Sequence, residues 1–432
     1  MASVCFAPAK KNHLYYLDYF DGWFYIFSNY EAPNFRLLKT PVNCQDMSDW
    51  REVIPHRTTI FLEDFELFHD YLVWVEKENG LSRIRFKKWP EDQTHTIPVP
   101  ENAYATYLYE NDDFYTQKLR YAYESFLTPY TIYEYDMQSH HQQVLKQEKM
   151  NGPYQPETYH SERIFVPARD GRQVPVSLVY RKDLKKPEGN PLLLEGYGAY
   201  GFSNDVYFNA ALFSLLDRGV VYAIAHVRGG SELGFSWYDE GRLLNKKNTF
   251  YDFIDVSEYL IRENYTRAGH IIAYGASAGG LLMGAVANER PERYKALVLD
   301  VPFVDVLNTM LNPNLPLTTA EYEEWGNPQL PEYYDYIASY APYENVKAQP
   351  YPPMLFMTAL YDARVPYWEP AKMVAKLRAM KTDKNPILLS VDTGSGHAGA
   401  SGRYDRWQEL ARVYTYVLHQ FTKEIAEIQA MK

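Results

Sequence analysis

The segment Tyr274-Gly275-Ala276-Ser277-Ala278-Gly279-Gly280 fits the pattern Gly-x-Ser-x-Gly. With Gly and Ser each near 7% of residues, chance yields that pattern in roughly one chain of this size in seven. The flanks give it meaning. His270-Ile271-Ile272-Ala273-Tyr274 is a short apolar run of strand character, and Leu281-Leu282-Met283-Gly284-Ala285-Val286-Ala287 is rich in helix formers. Strand, sharp turn and helix is the setting in which this pattern lifts a serine hydroxyl off the carboxyl end of a parallel sheet. The turn strains the serine backbone, and the glycines let strand and helix approach each other. A Gly-rich strand-to-helix turn without chemistry is the competing reading.

A serine hydroxyl is a poor nucleophile at its own pKa and needs a base and a group to orient that base. On this kind of sheet they follow in the order serine, acid, histidine. Beyond residue 362 the histidines are His397 and His419. His419 falls within a helical stretch and reads as a surface residue. His397 lies in Thr393-Gly394-Ser395-Gly396-His397-Ala398-Gly399, a loop just past the last strand, from which a base reaches Ser277. For the acid, Asp362 directly follows the apolar run Leu355–Leu360; Asp300 and Asp305 follow an earlier strand and are its rivals. Asp392 is too near His397 along the chain to face it. The carboxylate would hold the imidazole tautomer and stabilise the imidazolium. The developing oxyanion needs donors. One is the backbone N–H of Ala278; the second belongs to the loop Glu195-Gly196-Tyr197-Gly198-Ala199-Tyr200-Gly201-Phe202, which offers a tyrosine hydroxyl as well as backbone. In a chain with 40 tyrosines, core packing is the plainer explanation for those rings.

The elements that must position these groups divide the chain in two. Residues 1–155 read as strands, among them Trp23–Phe27, Tyr71–Val75, Ser82–Phe86 and Tyr130–Tyr135, separated by the turn pairs Asp21-Gly22, Asn79-Gly80 and Asn111-Asp112. A unit of paired hairpins recurs about three times, near the period of propeller blades. Three blades cannot close a ring. A hairpin follows, Glu162–Val166 with Val174–Tyr180, and a charged loop from Lys182 to Asn190. From residue 191 the pattern becomes strand, helix, strand. Strands are predicted at Leu192–Glu195, Gly219–Ile224, Ala296–Asp300, Met354–Ala359 and Pro386–Val391, and helices at Ala210–Leu216, Tyr251–Arg262, Glu369–Met380 and Arg403–Phe421. The predicted fold is thus an α/β hydrolase over 156–432, with a doubly wound, mostly parallel sheet, preceded by an all-β partial propeller.

Composition narrows the function. A length of 432 residues suits about two domains, and 46% hydrophobic residues suffice for a sizeable core. A formal net charge of −11 argues against a nucleic-acid partner and is compatible with basic substrates. Cys5 and Cys44 cannot form a disulfide framework, and metal-type Cys/His spacing is not seen, so neither metal nor cofactor is expected. Reduced cytoplasm is the simplest setting. Residues 1–30 show no signal-peptide pattern and no run is long enough to span a bilayer, so no membrane partner is expected.

A further stretch, His226-Val227-Arg228-Gly229-Gly230-Ser231-Glu232-Leu233-Gly234, joins Gly196–Gly201 and Gly275–Gly280. Together they resemble the prolyl oligopeptidase family of serine peptidases. Pro302-Phe303-Val304-Asp305-Val306, Thr318–Pro328 and Tyr367–Lys372 narrow the resemblance to its oligopeptidase B branch, over essentially all of 155–421. The resemblance implies cleavage of short peptides after Arg or Lys. It places nucleophile, acid and base at Ser277, Asp362 and His397, and gives the second oxyanion contact to the Tyr197 hydroxyl. It puts Phe303 among the substrate-binding residues. It sets Glu321 where proline-specific relatives carry an aromatic ring; a carboxylate there would pair bidentately with a guanidinium. Glu323 is similar to its partner for basic side chains, and Arg364 to an arginine that holds a substrate carbonyl. From spacing alone, Glu321, Glu323 and Glu324 read as an exposed acidic helix face after a threonine cap.

Members of that branch are much longer, with an N-terminal extension and a complete propeller. The resemblance therefore implies that Met1 is not the native start, or that the chain is a fragment or the product of a truncated gene. Open sheet edges and exposed apolar surface would follow. A general esterase on the same fold and an inactive remnant are the alternatives. Oligomeric state has no signature in the sequence.

Overall fold

Asp21-Gly22 and Asn79-Gly80 each close a two-residue hairpin, pairing Phe20 with Trp23 and Glu78 with Leu81. All four turn residues have positive φ, the conformation whose twist matches that of the flanking strands. Asn111-Asp112 behaves differently. It sits in a long connection, where the Asn111 side chain accepts from Arg120 N (2.7 Å) and donates to Tyr109 O (2.7 Å). A side-chain staple there replaces a tight turn.

The computed structural model describes residues 10–44, 46–150, 152 and 154–430, so Cys5 lies outside the described residues. Contacts divide the chain into two units. The first runs through Gly152 and includes Asp205–Phe208 and Ser231–Ser236; the second holds the rest. The first unit contains three four-stranded antiparallel sheets, spanning Tyr15–Ile54, Ile60–Thr96 and Tyr104–Gln147. They pack face to face in series. Tyr25, Phe27 and Leu37 meet Phe65, Leu72 and Trp74 in one layer; Val73, Val75 and Phe86 meet Leu119, Tyr121 and Tyr135 in the next. The strand Tyr71–Glu78 is therefore buried on both faces over all but its last residue. In the outer strands Tyr15–Phe20 and Gln142–Gln147, Tyr16, Tyr19 and Val144 are exposed.

The second unit is built on one eight-stranded sheet: β1 (Tyr159–Pro167), β2 (Gln173–Arg181), β3 (Leu192–Gly196), β4 (Val221–Ala225), β5 (Ile271–Ala276), β6 (Tyr294–Asp300), β7 (Met354–Ala359) and β8 (Ile387–Asp392). The order is β1-β2-β4-β3-β5-β6-β7-β8. β1, β2 and β4 pair antiparallel; from β4 to β8 every pair is parallel. This is the α/β-hydrolase arrangement. The central strands are mostly apolar, with Glu195, Lys295 and Asp300 as exceptions, because helices cover both faces. Helix α1 (Lys247–Arg262) buries Phe250, Phe253, Ile254, Val256 and Leu260, and α2 (Ala278–Glu289) is buried almost all round.

The turn from β5 to α2 depends on close approach. A Cβ on Gly275 would strike the Gly279 carbonyl, one on Gly279 the Gly196 carbonyl, and one on Gly280 the Pro302 ring. Gly280→Ala is expected to cost about 2 kcal/mol or more, since overpacking here meets ring and backbone rather than a mobile side chain. Urea denaturation followed by tryptophan fluorescence measures it; unchanged stability would contradict this packing.

Candidate active site

Ser277 bridges β5 and α2 with φ 56° and ψ −117°, a sparsely populated conformation for a residue with a side chain. Four hydrogen bonds hold it there. Its N–H donates to the Asp300 carbonyl at the end of β6 (2.8 Å). Its own carbonyl accepts from Gly280 N (2.9 Å), Leu281 N (3.3 Å) and Phe303 N (3.1 Å). The backbone is pinned by the neighbouring strand, by the loop after it and by the first turn of α2.

His397 leaves β8 through a loop tied to the loop after β7: Leu360 N donates to Asp392 O (2.7 Å) and Tyr361 N to Ser395 O (3.2 Å). These ties bring three side chains into line. His397 Nε2 lies 3.0 Å from Ser277 Oγ, and His397 Nδ1 lies 2.7 Å from Asp362 Oδ2. Asp362 Oδ1 accepts from Arg364 N (2.9 Å) and Val365 N (2.8 Å), so this buried carboxylate is fixed by its own turn. A hydroxyl, a base and an orienting acid in that chain can perform nucleophilic acyl transfer.

The rival acids are occupied elsewhere. Asp305 pairs with Lys372 and accepts from Asn308 Nδ2. Asp392 Oδ1 accepts Gly394 N (2.7 Å) within its own loop. Asp300 takes the Tyr274 hydroxyl at 3.4 Å, and burial pushes its carboxyl up to about 6. It lines a second cavity of about 330 Å³ behind His397. His419 is exposed in the last turn of the helix Arg403–Gln420.

In front of Ser277 and His397 lies a cavity of about 420 Å³ whose walls include Tyr197, Tyr200, Phe303, Glu321, Trp325 and Arg364. Ala278 opens α2, where backbone N–H groups lack intrahelical partners. Burial, then Glu324 and Glu321, push the Tyr197 hydroxyl up to about 12, so it keeps its proton through the neutral range. Phe303 packs against Trp325 with ring centroids 5.3 Å apart.

The acidic cluster is not an exposed helix face. The short helix Tyr322–Trp325 is preceded by Glu321, and no threonine side chain caps it. Glu321 lines the cavity, and Glu324 is buried. Glu323 is exposed and is not brought to the cavity wall, because residues two apart on a helix point to different sides. Glu321 Oε2 accepts both the Tyr200 hydroxyl (2.7 Å) and Trp325 Nε1 (3.0 Å), so a fork-to-fork pairing through both of its oxygens is not the arrangement offered. Sequence reasoning gave no role to Tyr200 or Trp325. The i, i+4 spacing of Glu321 and Trp325 was the available signal.

Comparison with known proteins identifies the family. The family model "Prolyl oligopeptidase family" matches residues 206–424, and "Prolyl oligopeptidase, N-terminal beta-propeller domain" matches residues 5–148. The chain belongs to the prolyl oligopeptidase family. It is 45% identical over 416 residues to Dipeptidyl aminopeptidase BI of Pseudoxanthomonas mexicana, covering 96% of this chain and 57% of that protein. It is 39% identical to Protease 2 of Moraxella lacunata, covering 96% and 59%. Among solved structures, oligopeptidase B from Leishmania major superposes with a TM-score of 0.90 at 39% identity, covering 96% of this chain and 60% of that one. Oligopeptidase B from Trypanosoma brucei, with covalently bound antipain in a closed form, gives a TM-score of 0.91 at 37% identity over the same shares. The chain thus spans under two thirds of the length of these relatives. Among the described residues no helix is long and apolar enough to cross a membrane.

The raised Asp300 pKa gives a pH prediction. The native state holds this proton more tightly than the unfolded chain, whose value is near 3.8, so stability falls as pH rises from about 4 through about 6. Asp300→Asn removes that penalty. It is expected to raise the melting temperature at pH 7.5, with the gain shrinking towards pH 4; a gain independent of pH would contradict the burial of this carboxyl.

Proposed function

We propose that the second unit is a serine peptidase that cleaves short peptides after Arg or Lys through an acyl-enzyme. The observation that carries the reading is the hydrogen-bonded run Ser277–His397–Asp362 at the mouth of a cavity containing a tethered carboxylate, Glu321. His397 takes the hydroxyl proton as Ser277 Oγ attacks the peptide carbonyl, with Asp362 stabilising the imidazolium. Ala278 N–H and the Tyr197 hydroxyl donate to the oxyanion. The tetrahedral adduct collapses as the imidazolium passes its proton to the leaving amine. Water, activated by the same imidazole, then releases the acid product. Glu321 receives the cationic side chain, Phe303 lines the same pocket, and Arg364 holds a backbone carbonyl of the substrate. Glu323, exposed on the far side of its helix, is left out of the pocket. The chemistry uses side chains, a backbone N–H and water, and a cytoplasmic setting rests on the two-cysteine composition.

The peptidase family match favours a peptidase over a general esterase. A second peptidase reading, removal of dipeptides from a free N-terminus, is favoured by the relative named Dipeptidyl aminopeptidase BI. Substrates with blocked and free N-termini separate the two: the endopeptidase accepts both, whereas a dipeptidyl aminopeptidase needs the free amine.

Ser277→Ala is expected to lower kcat on Arg-containing fluorogenic peptides at least about 10⁴-fold. Residual turnover near wild type would remove the nucleophile assignment. Glu321→Gln is expected to cut kcat/KM for Arg substrates about tenfold or more, chiefly through KM, as loss of a charge-assisted contact predicts. Substrates with a neutral residue before the cleaved bond are the control, and an equal loss on them would refute the charge-pairing role.

A further inference from the structure

The loop between β3 and the Tyr200 turn is strained. Tyr200 has φ 61°, flanked by Gly198 and Gly201 at 72° and 63°, which glycine adopts freely. A side-chain-bearing residue in that conformation persists only where its surroundings fix it. Two buried, oppositely charged side chains do so here. Lys246, just before α1 and 1% exposed, donates its ammonium to the Gly198 carbonyl and lies 5.1 Å from the Trp325 ring centroid. Glu324, 3% exposed, accepts Tyr200 N (3.0 Å) on one oxygen and the Tyr238 hydroxyl (2.6 Å) on the other. Burying a charge is costly, and a neutral side chain would pack such a space at lower cost. The loop held between them carries Tyr197, and also Tyr200, whose hydroxyl tethers Glu321.

We propose that Lys246 and Glu324 are positioning residues: one grips a carbonyl and the other an amide of the Gly196–Gly201 loop, and together they aim Tyr197 and Tyr200. The proposal rests on the reading of Tyr197 as an oxyanion donor. Lys246 acts on the peptide next to Tyr197, so its loss is felt in the transition state. Glu324, the Gly198 carbonyl and the Trp325 ring face the ammonium; Tyr238 lies on Glu324, and Arg242 stacks over Tyr238 at 4.5 Å. Burial lowers the Lys246 pKa to about 8, and Glu324 opposes that shift.

Steady-state kinetics across pH, with folded sites counted by titration with an organophosphorus probe, test the proposal. Lys246→Met is expected to lower kcat at least tenfold, with KM for an Arg peptide changed less than threefold. Wild-type kcat is expected to decline above about pH 8 as the ammonium loses its proton. In Glu324→Gln the decline moves to lower pH, because the opposing carboxylate is gone; in Lys246→Met it disappears. A merely structural role would not move that limb. An unchanged limb in Glu324→Gln overturns the proposal, and it decides the matter should Lys246→Met fail to fold. Tyr197→Phe keeps the two readings apart. An impaired Tyr197→Phe beside a wild-type-like Lys246→Met sinks the positioning role alone; a wild-type-like Tyr197→Phe sinks the donor reading and the proposal with it.

Discussion

The site depends on one backbone conformation, that of Ser277. A side-chain-bearing residue at φ 56° and ψ −117° is unfavourable by roughly 1–3 kcal/mol, so it must be fixed from outside. β6 supplies the acceptor for its N–H, and the loop after β6 supplies one of the donors to its carbonyl. Those bonds need α2 to lie closer to β5, to the end of β3 and to the loop after β6 than side chains allow, which is why glycine stands at 275, 279 and 280. The hydroxyl's direction is thus set by sheet geometry before His397 is considered.

The same logic places the partners. Asp362 and His397 leave the carboxyl ends of β7 and β8, adjacent parallel strands in register from Met354 with Ile387 to Ala359 with Asp392. Strand spacing fixes the distance between the loops, and two backbone bonds lock one loop to the other. The paired strands thus bring the two loops, and with them Asp362 and His397, to hydrogen-bonding distance.

Much of this was legible in the sequence because it is local. The Gly-x-Ser-x-Gly turn, the loop bearing His397 and the aspartate directly after an apolar strand are each read within about ten residues, and the fold orders them. The hairpins at Asp21-Gly22 and Asn79-Gly80 were legible for the same reason. The acidic cluster was not. Whether Glu323 or Glu324 turns inward depends on the phase of a single helical turn, and that phase is set by the burial of Trp325. Nor did an apolar run announce the short helices Val306–Leu311 and Pro331–Ala338 between β6 and β7. Asn111 read as a turn former, whereas its side chain fastens Tyr109 to Arg120 across a longer loop.

The tethering of Glu321 has a consequence for what the cavity can tell apart. Both donors, Tyr200 and Trp325, approach the same oxygen, Oε2, whose two lone pairs are thereby used. A cation received there, as proposed, would be left with Oε1. One oxygen senses charge and reach, but it cannot read the planar two-pronged shape that distinguishes guanidinium from ammonium. Any ranking of arginine over lysine would then fall to the depth of the walls built by Leu315, Leu317 and Thr318, a matter of length rather than of hydrogen-bond pattern.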